Sequence, residues 1–198
     1  MIRRPVLCLA LLSMAACGGG GGGPAVTSAG FAGIGSDGLI LTDPGAQEAA
    51  AGSIRRGESG YAYAVQSNGS DVSARAALIN PGAVTGRPVT GTGRFAATYQ
   101  INEIRNTNTD REITEVEGSI PLTVNFDTGA LRGSAGALAV TGQMAQTGAG
   151  FTGFTTWRGV TGDLRGRANG TTIVGAFAGN SPTSVYAGGF TGNGSVTP

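Results

Sequence analysis

The sequence predicts an all-β protein, an antiparallel barrel or sandwich, and two observations carry that expectation. Glycine supplies 37 of 198 residues while charged residues make up only 13%, a balance that favours tight turns and small-residue strands over charged helices. Gly or Pro also interrupts nearly every window long enough for a helix, whereas short β-rich runs recur between turn residues. Apolar residues reach 40%, which argues against disorder and for a packed core. The length suits one domain of ordinary size or a small pair.

Taken from the amino terminus, residues 1–16 read as a signal peptide. Arg3 and Arg4 form a basic start, Pro5 to Leu12 a short apolar run, and Met14-Ala15-Ala16 the small residues before Cys17. That run is too short to anchor the chain as a spanning helix. Met14-Ala15-Ala16-Cys17 resembles the lipobox of bacterial lipoproteins, with Met where Leu is usual. The resemblance implies that Cys17 becomes the acylated first residue, carrying chains such as palmitate, and that Cys8 leaves with the leader. Residues 17–30 then form the lipidated end and a Gly-rich tether, in which Gly18 to Gly23 spans roughly 13 Å as a flexible coil. Each buried acyl methylene contributes about 0.8 kcal/mol, so several chains make attachment effectively permanent. Gly18 after the Cys resembles the pattern of lipoproteins sent to the outer membrane. Loss of the leader leaves 11 Arg against 12 acidic residues, and nothing in that balance suggests a nucleic-acid partner.

Residues 31–90 read as an N-terminal β-rich portion, with strand candidates at Ile54 to Arg56, Tyr61 to Gln66 and Val72 to Ile79 and a turn at Asn68-Gly69. Ala46 to Ala51 is the best helical candidate, though short. Residues 91–198 are the barrel candidate, with strands expected over Arg94 to Ile104, Ile120 to Phe126, Gly136 to Val140, Val160 to Arg167, Thr171 to Phe177 and Val185 to Thr191. Phe95, Ala97, Tyr99 and Ile101 fall on one face at period two and are expected in the core. Asn169-Gly170 has the composition of a type I′ hairpin turn, and Asp127-Thr128-Gly129 that of another tight connection. Phe-x-Gly recurs at Phe31, Phe151, Phe177 and Phe190, a spacing that lets a ring lie over bare glycine backbone on a neighbouring strand.

The stretch GAFAGNSPTSVYAGGF, with the upstream GRFAATY and IPLTVNFDTGALRG, resembles the barrel domain of the transferrin-binding protein B family of surface lipoproteins. Gly175, Phe177, Gly179, Gly188, Gly189 and Phe190 carry the likeness, and Val124-Asn125-Phe126 with Gly129 and Gly133 resembles a second family hairpin. Ala178 and Asn180 depart from the Tyr and Pro usual there. The resemblance covers about the last hundred residues. It implies an eight-stranded antiparallel barrel on an outer-membrane lipoprotein that binds a protein or an iron- or haem-carrying ligand in iron acquisition, with an outer-membrane transporter as a further partner. The chain would hold one lobe at most.

Catalysis is not expected. Without Lys or His, and with Cys17 acylated, the mature chain lacks a P-loop lysine, a Schiff-base amine, a histidine base and a free thiol. Asp127 and Asp163 stand in turn or loop contexts rather than as a paired acid and base. Asn106 to Asp110 with Glu112 and Glu117 approaches a calcium-loop spacing, but Arg111 occupies the place of the turn glycine, so a solvated polar hairpin loop is expected. Gly33 to Leu39 imitates one turn of a calcium-binding β-roll that requires stacked copies. No metal or cofactor is therefore expected. Haem capture has only Tyr61, Tyr63, Tyr99, Tyr186 and Met144 as axial candidates, with Tyr186 expected exposed in a loop. Tyr186 and the Trp157-Arg158 pair, also read as loop, are the candidate ligand contacts. Two further readings stay open, a structural envelope lipoprotein without a soluble ligand and a direct haem-capture protein.

Overall fold

The computed structural model describes residues 25–107 and 111–198; the expected leader, Cys17, the six-glycine run and Asn108 to Asp110 lie outside the described residues. Four strands, β1 (Val26–Phe31), β2 (Glu48–Arg56), β3 (Ser59–Asn68) and β4 (Asp71–Ile79), form one sheet in the order β1-β4-β3-β2, with β1 parallel to β4 and the others antiparallel. Eight more strands close into an antiparallel barrel: β5 (Thr92–Arg105), β6 (Glu112–Asn125), β7 (Ala130–Ala135), β8 (Leu138–Met144), β9 (Gly150–Trp157), β10 (Val160–Ala168), β11 (Thr172–Ser181) and β12 (Ser184–Thr197). Each pairs with the next in sequence, and β12 closes on β5 along its full length, from Ser184 opposite Arg105 to Thr197 opposite Thr92.

Period-two alternation decides which face of the barrel is dry. On β5, Phe95, Ala97, Tyr99 and Ile101 are buried while Arg94, Ala96 and Thr98 are exposed. The buried set joins Phe126, Phe151, Phe177 and Phe190 in a core that fills the interior, as expected of a barrel this narrow. The outer wall away from the four-stranded sheet carries exposed Thr123, Arg132, Thr141, Thr152 and Asp163. Apart from Phe154, which is exposed on this wall, polar outside and apolar inside is the reverse of a membrane-spanning barrel. Among the described residues, no helix is long and apolar enough to cross a membrane.

The four-stranded sheet covers the outer wall at β11, β12 and the end of β5. Tyr61, Tyr63 and Val65 of β3 with Val72, Ala74 and Ala76 of β4 pack on Val174, Ala176, Ala178, Val185, Ala187 and Ile104. Ala62, Ala64, Ala77 and Ile79 face the other way, under Ile40 and Ile34 of the β1–β2 connection. Strand β3 is therefore apolar at both parities because both of its faces are covered. Close approach at the interface depends on Gly189, where a side-chain carbon would lie 2.3 Å from the Tyr61 ring.

Several local expectations change. The alanine run at residues 46–51 enters strand β2 instead of a helix, because pairing with β3 supplies its backbone partners. Gly136 has φ +55 and turns the chain between β7 and β8 instead of opening a strand. The Asn169 loop is not type I′, since neither Asn169 nor Gly170 has positive φ. Instead the Asn169 Oδ1 accepts the amides of Thr171 at 2.9 Å and Thr172 at 2.8 Å, a side-chain closure that substitutes for the backbone turn.

Candidate functional site

One rim of the barrel gathers the β5–β6, β7–β8, β9–β10 and β11–β12 connections. Trp157 and Val160 face each other across a two-residue loop, Arg158-Gly159, with φ of +49 and +85. This is the positive-φ pair that a type I′ hairpin requires. Arginine in the left-handed region costs about 1–2 kcal/mol relative to an ordinary backbone, so something must hold it there.

Glu103 does. Its carboxylate is buried and accepts the Trp157 indole Nε1–H at 3.0 Å, the Arg158 Nη1–H at 3.2 Å and the Ser184 hydroxyl at 3.1 Å. The Arg105 Nε completes the set at 3.2 Å. The Arg158 guanidinium carbon lies 4.9 Å from the Trp157 ring centroid, a cation–π contact. One buried anion thus fixes an indole and two guanidinium groups whose side chains are 35% and 47% exposed for Arg158 and Arg105. Each guanidinium has five N–H donors, most of them left for solvent or a ligand. The rim is braced further by Thr107, whose hydroxyl donates to the Pro182 carbonyl at 2.7 Å, and by the Arg158 amide on the Ala137 carbonyl at 3.2 Å.

Tyr186 sits one layer below. It is not in a loop: it belongs to β12, opposite Glu103, and is wholly buried. Its hydroxyl lies 3.0 Å from Thr155 Oγ1 and donates toward the carbonyls of Thr155 and Val160. Burial pushes its pKa up to about 12, against the lowering effect of the Thr155 hydrogen bond and with a small push from Asp163. The expectation of exposure fails because β11 runs on to Ser181 and the connection shrinks to Pro182-Thr183. Tyr61, Tyr63, Tyr99 and Met144 are buried residues too, none more than 9% exposed.

Trp157, Arg158 and Tyr186 therefore cluster at one end, but only Arg158 reaches out. Glu103, Arg105, Thr155 and Ser184 were not singled out from sequence. The signal for Glu103 was present, since it continues the inward parity of Phe95, Ala97, Tyr99 and Ile101. The glycines of the β11–β12 stretch serve packing: side-chain carbons at Gly175 and Gly179 would lie 2.4 Å from the rings of Phe190 and Tyr186, their cross-strand partners. Phe177 and Phe190 are in the interior, and Gly188 lies opposite Phe177. The Gly33 to Leu39 loop closes on itself, with Asp37 Oδ1 accepting the Leu39 amide at 3.0 Å.

A strand meander closed into a barrel, carrying a second sheet on its outer wall, is found in solved structures. A tryptophan-to-alanine mutant of the vaccine antigen transferrin binding protein B (TbpB) from Haemophilus parasuis Hp5 superposes with a TM-score of 0.52 at 13% identity, over 75% of this chain and 36% of that one. The fold is that of a TbpB-like lobe. Intact Ap-TbpB with its N and C lobes gives a TM-score of 0.46 at 11% identity, over 74% of this chain and 38% of that one. The isotype 1 TbpB of serogroup B Neisseria meningitidis gives 0.41 at 13% identity, over 78% and 36%. The chain spans little more than a third of the length of each. No family model and no curated protein matches the sequence. The mutant from Haemophilus parasuis is of a protein named transferrin binding protein B.

Proposed function

We propose that this protein is a non-catalytic binding module, held at the Gram-negative outer membrane by a lipid on Cys17, that recognises a protein or an iron- or haem-carrying ligand through the rim bearing Trp157 and Arg158. The observation that carries the reading is Glu103. A buried carboxylate is expensive unless its bonds are used, and this one spends them on holding an indole and two arginines at the mouth of a packed barrel. Trp157 is itself buried and serves as the floor on which Arg158 is held, and arginine anchors fixed on a rigid scaffold are what protein recognition sites favour. The anchor rests on Met14-Ala15-Ala16-Cys17 and the glycine leash behind it.

Transferrin is the first ligand to test, because the TbpB structures of similar fold are named for it. The full chain, solubilised from membranes, is expected to bind transferrin in surface plasmon resonance, and Arg158→Gly to weaken binding at least tenfold. Glycine relieves the positive φ, so this variant keeps the turn while removing the guanidinium. Absence of binding to transferrin and to haem-carrying proteins, or an Arg158→Gly variant as tight as the parent, would refute the reading. Radioactive palmitate should label the parent chain and not Cys17→Ser; labelling of both would refute the anchor.

A further inference from the structure

Strand β6 is much longer than its neighbour requires. On one side it pairs with β5 from Glu112 to Asn125; on the other, β7 meets only Leu122, Thr123 and Val124. The ladder to β7 stops beside Pro121. From Glu112 to Gly118 the second edge has no partner strand among the described residues, and no residue from Glu112 to Ser119 is buried, whereas Ile120, Leu122 and Val124 are. A strip of seven residues, about 24 Å at strand rise, therefore leaves a row of backbone N–H and C=O groups open. Such an edge is a template for another strand.

Charge limits what can occupy it. Glu112, Glu115 and Glu117 are exposed along the strip, and among the described residues no guanidinium forms an ion pair with any of them. Glu115 accepts only the Gln100 amide. A second copy of this chain, paired antiparallel about Glu115, would set Glu115 against Glu115, an arrangement that destabilises a sheet. Glu115 and Glu117 share one face of the strand, and an added strand with lysine or arginine at alternate positions would instead pair both with cations while completing the ladder. We infer that the free edge of β6 from Glu112 to Gly118 accepts an extended basic segment of a protein partner as an added strand. The inference rests on the reading of the chain as a protein-binding module and adds a second contact surface beside the Trp157–Arg158 rim.

The probe is a capped peptide of alternating lysine and valine, titrated into the isotope-labelled full chain in detergent. Two controls accompany it, the same peptide with alternate backbone amides methylated and a glutamate–valine peptide. Amide resonances of Ile113 to Gly118 should shift, with the methylated and acidic peptides at least tenfold weaker. Glu115→Arg with Glu117→Arg should weaken the basic peptide at least fivefold, and Glu115→Gln with Glu117→Gln should do so to a lesser degree without reversing charge. Shifts elsewhere, or a methylated peptide binding as well as the parent, would overturn the strand-addition reading. Arg158→Gly should leave peptide binding unchanged, so failure of the peptide with transferrin binding intact would discard this inference alone, and the reverse outcome would discard the rim.

Discussion

Gly179 and Gly162 are bare where Tyr186 lies: a side-chain carbon at the first would fall 2.4 Å from the ring and at the second 2.6 Å from the hydroxyl. Gly179→Ala should therefore cost roughly 1–3 kcal/mol through overpacking, read as a lower urea midpoint with an unchanged slope. Glu103 makes a different kind of demand. Glu103→Ala leaves the buried Trp157 indole N–H without its acceptor and frees Arg158, a loss of about 2–3 kcal/mol. Because Trp157 is the only tryptophan in the chain, its fluorescence should shift to the red and become more quenchable by iodide. An unchanged spectrum would mean that the indole is held by packing alone.

Among the elements, the segment from Pro81 to Gly91 does more than join the two sheets. It crosses the rim opposite Glu103, where Arg87 donates to the carbonyls of Ala145 and, at 2.5 Å, Phe126. Arg167 donates to the Val84 carbonyl at 2.8 Å, and Asn169 to the Thr85 carbonyl at 3.0 Å. Arg87→Ala should loosen this strap by about 1–2 kcal/mol. Hydrogen exchange should quicken in residues 126–129 and 145–149 and stay slow at the Trp157 rim; uniform acceleration would contradict a local strap. The β6 edge belongs to this scale as well. Residues 112–117 read as polar loop in the sequence because their apolar residues, Ile113 and Val116, fall on opposite faces and pack on different cores, which leaves no alternation to read, and the strand state comes from pairing with β5.

For the whole molecule, the two layers are joined by an apolar contact that includes phenols. Desolvation pushes the Tyr63 pKa up to about 12, with Glu115 and Glu117 adding to it, and raises Tyr61 by burial as well. Tyr186 reaches about 12 inside the barrel. In the unfolded chain these groups ionise near the ordinary tyrosine value of about 10. Above that pH the unfolded state binds fewer protons than the folded one, so stability falls as pH rises. The stabilisation is complete below about pH 10 and is lost progressively toward pH 12. Thermal melts across that window should show a steep decline, with phenolate absorbance appearing together with unfolding; Tyr63→Phe should shallow the slope. A flat melting temperature would mean that the hydroxyls are already wet.

Composition and period were sufficient for the all-β class, the inward face of β5 and the strand-rich character of residues 59–79, because each depends on local chain preference and on alternation across a single strand. The Glu103 cluster, the burial of Tyr186 and the free edge of β6 follow instead from register. Glu103 stands 54 residues from Trp157 and 81 from Ser184, and only closure of the barrel through β12 and β5 brings them together. Burial at the outer wall likewise depends on a second sheet that no single strand can announce. Local patterns set which way a side chain points; the partner it meets there is chosen by strands far away in the chain.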